Sequence, residues 1–221
     1  MRTFPDKFTL TREQSVFLAK KKWDENVYCG MKMEARAVTF PQTKTILNGV
    51  NVPGVTLDDI QAILNMRDAW RYLIATIDEP LTLDYMCALN GNIARNEALV
   101  WGKLRTGQVG ISGTDYIPPI PDYQKASEEL AAILNSDASD TEKALDLFAW
   151  GARSQLFWDG NKPTSLTLAN KLMLMTGRGM ITITDKHMEE FNTCLLNFYN
   201  SGDAQPLKEF LWTNSIQGIT F

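Results

Sequence analysis

Residues 153–164 read Arg153-Ser154-Gln155-Leu156-Phe157-Trp158-Asp159-Gly160-Asn161-Lys162-Pro163-Thr164. This segment sets a carboxylate, a turn and a cation side by side at the expected start of a helix. The first N–H groups of a helix have no partner inside it, so they can hold an anion. A carboxylate beside them, Asp159, could carry Mg²⁺ onto a phosphate. Lys162 offers a point charge to the same phosphate. Asp-Gly-Asn is also an ordinary turn followed by a helix cap, so the segment alone leaves both readings open.

Other chemistry is scarce. The single histidine, His187, lies in DKHMEEF and reads as a cationic or capping surface residue. Cys29, Cys87 and Cys194 are odd in number and widely spaced, which does not suggest a disulfide framework. With no C-x-x-C pair, a zinc site is not expected.

The elements that must position the loop are mostly helices. Thr11 and Gln14 form a capping box, and the helix they open is expected to turn Phe17, Trp23 and Val27 inward, with Lys20 to Lys22 solvated. Residues 37–55, with Asn48-Gly49 and Pro53-Gly54, read as irregular. Thr56 opens a second helix with apolar residues from Ile60 to Ile77, and Thr82 opens a third after Pro80. Amphipathic stretches cover 122–135 and 140–155. A helix from about Lys162 ends at Gly177, another is capped by Thr184 or Asp185 and stops at Gly202, and a last one carries Pro206 in its first turn. Residues 105–121, RTGQVGISGTDYIPPIP, differ in kind. Val109 and Ile111 alternate with small residues, and three prolines follow, which predicts a short hairpin or extended flap.

Bulk properties narrow the classes. The chain has 221 residues, of which 44% are hydrophobic, enough for a sizeable core. A net charge of −4 and a pI near 5.1 argue against a general nucleic-acid binder, which needs a basic face. No apolar run approaches the ~18 residues of a membrane span. MRTFPDKFTL lacks the apolar core of a signal peptide, so a reduced, cytoplasmic protein is expected.

Taken together, two segments resemble the motifs of the Fic family. Phe157, Asp159, Gly160, Asn161 and Lys162 fall on matching positions of H-x-F-x-D-G-N-G/K-R. Gly102-Lys103-Leu104-Arg105-Thr106-Gly107-Gln108-Val109-Gly110-Ile111-Ser112-Gly113, followed by Tyr116-Ile117-Pro118-Pro119, looks like the family's flap. The resemblance implies a mainly α fold, a Fic-type helical bundle with a short β-hairpin flap. Residues 1–55 would be an N-terminal helix and linker extension and 56–221 the Fic-like domain, with a motif core at about 80–178. Members of the family move AMP from ATP to a protein hydroxyl. The resemblance makes Asp159 the Mg²⁺ ligand and Gly160, Asn161 and Lys162 the nucleotide and phosphate contacts. Val109, Gly110, Ile111, Ser112 and Gly113 become the flap that docks a target protein.

The same resemblance exposes departures. The histidine position is Gln155, whose neutral amide is no general base, a loss worth ~10²–10⁴-fold in rate. The arginine position is Pro163, which deletes a charge-assisted phosphate contact of ~1.5–3 kcal/mol and a backbone donor. With Asn161 as helix cap, Pro163 would sit at the second helical position. A further arginine position is Leu166. Thr43-Lys44-Thr45-Ile46-Leu47-Asn48 looks like a remnant of the family's inhibitory segment, with Leu47 at the glutamate position. The expectation is a protein impaired in AMP transfer that binds a protein partner through its flap, and Mg²⁺ with ATP or a related nucleotide weakly. Two alternatives stay open: an active nucleotidyl or other phosphate-group transferase with a non-standard site, and a ligand-free structural module.

Overall fold

The computed structural model describes residues 3–219. Ten helices lie among them: α1 (Arg12–Lys21), α2 (Trp23–Met33), α3 (Phe40–Leu47), α4 (Leu57–Ala75), α5 (Leu83–Ile93), α6 (Tyr123–Leu134), α7 (Asp140–Ser154), α8 (Asn161–Thr176), α9 (Asp185–Ser201) and α10 (Gln205–Asn214). Two short strands, β1 (Met180–Ile181) and β2 (Ile216–Gln217), pair antiparallel, with Met180 opposite Gln217. No helix among the described residues is long and apolar enough to cross a membrane.

Helix α8 is the axis of the molecule. It is buried on nearly every side, as a helix with neighbours all round must be. It packs on α7, α5, α4, α2 and α1. Its polar residues are buried with partners: Asn170 clamps Ile181 through both the amide and the carbonyl, at 2.7 and 2.9 Å. Helix α7 lies close on α8 because Gly151 has no side chain. A Cβ there would stand 2.4 Å from the Ser165 hydroxyl. The ends of α7 and α8 that face each other hold the loop 155–160, so tight α7–α8 packing fixes the loop's span.

Several expectations hold: Thr11, Thr56 and Thr82 cap their helices, and Gly177 and Gly202 end theirs in the left-handed conformation. Others need correction. The first predicted helix breaks at Lys22 into α1 and α2, and Phe17 points outward, 54% exposed, while Leu18 and Val27 are buried. Residues 37–55 are not all irregular. Thr39 and Gln42 form a second capping box that opens α3, with Pro41 tolerated in its first turn. Helix α8 is capped by Gly160 rather than Asn161, so Pro163 is its third residue.

The flap is the largest correction. Residues 103–121 contain no strand, and the two chain segments do not pair with each other. Pro118, Pro119 and Pro121 have no N–H to give a ladder, and Gly110 and Gly113 weaken a strand through their conformational freedom. Side-chain tethers hold the segment instead. The Thr114 hydroxyl bonds Asn200 at 2.5 Å, and the Arg153 guanidinium lies 3.8 Å over the Tyr116 ring. The N-terminal residues share the one core, since Phe4, Leu18, Val27, Met33 and Ile46 join the same buried cluster as the residues of α7 and α8.

Candidate functional site

The loop from α7 to α8 begins with Gln155, a non-glycine residue at φ 46°, ψ 57°. A side chain in the left-handed region costs about 1–3 kcal/mol and persists only where its surroundings impose it. Three contacts do so here. The Gln155 amide donates to the Ala152 carbonyl at 2.6 Å, and its Oε1 accepts from Asn161 at 3.1 Å. Its main-chain carbonyl accepts from the Arg105 guanidinium at 2.5 Å.

Asn161 closes the loop. Its Oδ1 accepts from the Phe157 amide at 2.8 Å, and its Nδ2 donates to the Phe157 carbonyl at 2.8 Å. Phe157 is thereby locked into the core. Asn90 of α5 braces the other side, donating to the Asp159 carbonyl at 2.9 Å and accepting from the Gly102 amide at 2.9 Å. One buried asparagine thus ties α5, the loop and the start of the flap together.

The charged residues have definite partners. Asp159 is exposed, and its Oδ1 accepts the Gly160 amide at 2.7 Å. Lys162 donates to the Met33 carbonyl at 2.5 Å and lies 3.9 Å from Glu34. Pro163 supplies no N–H, so Asn161 and Lys162 are the amides left to this first turn for an anion. Burial pushes the Glu34 carboxyl up, with Lys162 and Arg36 opposing and Asp159 and Glu97 adding to the rise. Burial also raises Glu97, although it is bonded to Arg36 and Asn65.

Two hollows flank the loop. A cleft of about 570 Å³ runs between the flap residues Val109, Gly110, Ile111 and Ser112 and the loop residues Gln155, Trp158, Asp159, Asn161 and Lys162. The end of α2 and the α9 residues Leu195, Leu196 and Tyr199 complete its walls. A smaller cavity of about 200 Å³ between α2, α4 and α5 is lined by Glu34, Arg36, Glu97, Asp159, Gly160 and Pro163, over a floor of Met31, Met66 and Ile93. Glu34 and Asp159 border both hollows.

The predicted site residues therefore converge on one cleft, apart from two. Gly160 faces the smaller cavity. Gly113, at φ +83°, turns its open side to Leu196 and shapes the flap instead of lining the cleft. His187 sits in the first turn of α9 with its ring edge-on to Phe210, 6.2 Å away. Leu47 is partly buried and packs on the core. No group of three or more metal-ligating side chains occurs among the described residues. An Mg²⁺ ion would find the exposed carboxylate of Asp159, with the half-buried Glu34 bordering the same hollows, which suits an ion that arrives with phosphates of its own. Sequence reasoning passed over Arg105, Asn90 and Glu34. Arg105 carried a usable signal, as a cation at the start of a glycine- and proline-rich stretch with no other cation as far as Pro121.

A helical protein whose α7–α8 loop faces a tethered flap across a cleft is the class that this fold defines. The model of the Fic/DOC family matches residues 80–173. A relative from Drosophila melanogaster called "Protein adenylyltransferase Fic" is 26% identical over 201 residues, covering 87% of this chain and 40% of its own. The chain spans about two fifths of the length of the curated relatives it matches. Fic-1 from C. elegans superposes with a TM-score of 0.74 at 19% identity, over 92% of this chain and 69% of that one. The BepC protein of Bartonella tribocorum, solved with bound AMPPNP, superposes with a TM-score of 0.54 at 16% identity, over 76% of this chain and 91% of that one.

Proposed function

We propose that this chain is a Fic-family protein that is impaired in AMP transfer and uses its cleft to dock an extended segment of a partner protein. The observation that carries the reading is Gln155. It stands where the family resemblance puts the histidine base. It has no proton-accepting nitrogen, and its amide is engaged at both ends by Ala152 and Asn161. No other histidine can substitute, because His187 packs on Phe210 at α9.

The anion site is weakened as well. Pro163 brings neither an arginine nor an N–H. Glu34 and Glu97 place carboxylates where a polyphosphate would need cations. Lys162 partly compensates, although its ammonium is already bonded to Met33. Nucleotide binding is thus expected to be Mg²⁺-dependent, through Asp159, and no tighter than high micromolar. The flap supports the docking reading because Val109 and Gly110 line the cleft outside any strand ladder, and an extended segment can add to such an edge through main-chain hydrogen bonds. The free thiols of Cys29, Cys87 and Cys194 suit a reduced, cytoplasmic setting.

The test is incubation of the full chain with α-labelled ATP, Mg²⁺ and lysate. Neither the protein nor any lysate component should be labelled above background. Robust labelling that Asp159→Ala abolishes would instead establish an active transferase with a non-standard site.

A further inference from the structure

We propose that Arg105 is a positioning residue that couples the flap to Gln155, so that the two walls of the cleft open and close as one unit. Its value for docking rests on the function proposed above, whereas the coupling stands on geometry and is tested without any partner.

Arg105 is among the largest fully buried side chains, 1% exposed. Burial pulls its pKa down, with the nearby Tyr116 hydroxyl opposing, and no carboxylate pairs with it among the described residues. The guanidinium is satisfied by main-chain carbonyls alone. Nε donates to Gln155 at 2.5 Å, one terminal nitrogen to Gly107 at 2.5 Å, and the other to Pro118 at 3.2 Å and Pro119 at 2.5 Å. Its own amide donates to the Leu156 carbonyl at 3.0 Å. A proline-rich stretch has carbonyls that no ladder uses, which is why a guanidinium fork can collect them.

These partners belong to three separate segments: the start of the flap, its end and the first residues of the α7–α8 loop. The Gln155 carbonyl points at Arg105 only while Gln155 holds its left-handed conformation, which is intrinsically unfavourable. If Gln155 relaxes, Arg105 loses its Nε acceptor while still buried. A buried unpaired donor is costly, and admitting water by freeing Gly107, Pro118 and Pro119 is the way to relieve it. If the flap lifts first, the guanidinium is hydrated and no longer holds Gln155 in its strained form. The other flap tethers, Thr114 to Asn200 and Tyr116 to Arg153, reach α9 and α7 without touching Gln155.

Amide hydrogen exchange by NMR on the full chain tests this. The Tyr116 amide, bonded to Thr114, reports the flap, and the Phe157 amide, bonded to Asn161, reports the loop. In the wild type both should show the same opening free energy and the same denaturant dependence. Different values overturn the coupling whatever any variant does. Arg105→Lys, which keeps the charge and loses the fork, should accelerate both amides by the same factor, at least about tenfold, with core amides of α8 unchanged. Acceleration at Tyr116 alone, or at neither, overturns the proposal. Asn200→Ala, which cuts only the α9 tether of the flap, should accelerate Tyr116 and Phe157 alike, because the two open as one unit. Acceleration of Tyr116 alone in that variant would show that the flap lifts without the loop and overturns the coupling.

Discussion

The side-chain amide of Asn161 donates at once to the Gln155 side chain at 3.1 Å and to the Phe157 carbonyl at 2.8 Å. Its oxygen meanwhile accepts the Phe157 amide. The residue that the family resemblance assigns to phosphate contact therefore commits its side-chain amide to the loop itself. Gln155 contributes to this closure through its Oε1, an acceptor that Asn161 uses.

Asn161→Ala should accordingly act on stability before it acts on any ligand. It strands the buried Phe157 amide and carbonyl, a loss of about 1–3 kcal/mol. In a chain of this size that lowers Tm by several degrees in a thermal melt. Asn161→Asp keeps the acceptor for the Phe157 amide and loses only the donations, so its Tm should lie between the two. An aspartate as damaging as alanine would show that the Phe157 amide is not what Asn161 protects.

Restoring the chemistry needs more than the base. Gln155→His alone should give little labelling from α-labelled ATP, because the phosphate contact is still absent. Adding Pro163→Arg should bring labelling above background. Glu34 and Glu97 line the cavity beside position 163, so a new arginine meets carboxylates before it meets phosphate. The triple variant with Glu34→Gln should therefore label more strongly than the double. Equal labelling by the double and triple variants would remove Glu34 from this account.

Much of this was readable from the chain. Threonine caps, glycine stops and the apolar spacing of α4 and α5 are local signals, and the structure follows them. What escaped depends on tertiary context. Phe17 has the right residue type for a core but the wrong helical phase once α1 ends at Lys21. Helix α3 hid behind Pro41 and Asn48, which look like breakers although one sits in a first turn and the other caps the end. The flap's alternation suggested paired strands, yet its prolines bring no N–H to a ladder and its glycines weaken a strand by their freedom. At the site, the loop residues were legible by type, whereas the roles of Arg105, Asn90 and Glu34 arise from contacts between segments far apart in sequence.

Glu34 gives a pH test. Burial raises its carboxyl above the usual glutamate range, so the folded state holds that proton more tightly than the unfolded chain does. Stability associated with this group is therefore greatest at low pH, where it is protonated in both states, and declines as pH rises through the raised folded value. Glu34→Gln mimics the protonated form. It should raise Tm at pH 7.5, and the gain should shrink toward zero as the pH falls into the ordinary glutamate range. A gain independent of pH would assign the effect to packing and not to charge.

Gly110 offers the cleanest probe of the flap. It lines the cleft, its φ is not in the left-handed region, and a Cβ added there meets nothing within 4 Å. A larger residue at 110 therefore enters the space that a docked backbone would need without disturbing the fold. Removing glycine's freedom in the unfolded chain adds roughly 0.4–1 kcal/mol of stability at a compatible site. Gly110→Val should keep or slightly raise Tm and should reduce capture of proteins that the wild type retains in a pull-down. Gly113→Ala serves as the contrast. It sits at φ +83° with Leu196 only 3.2 Å from its Cβ position, so it should lower Tm by straining the flap. If Gly110→Val captures the same proteins to the same extent as the wild type, the flap face of the cleft is not where the partner binds.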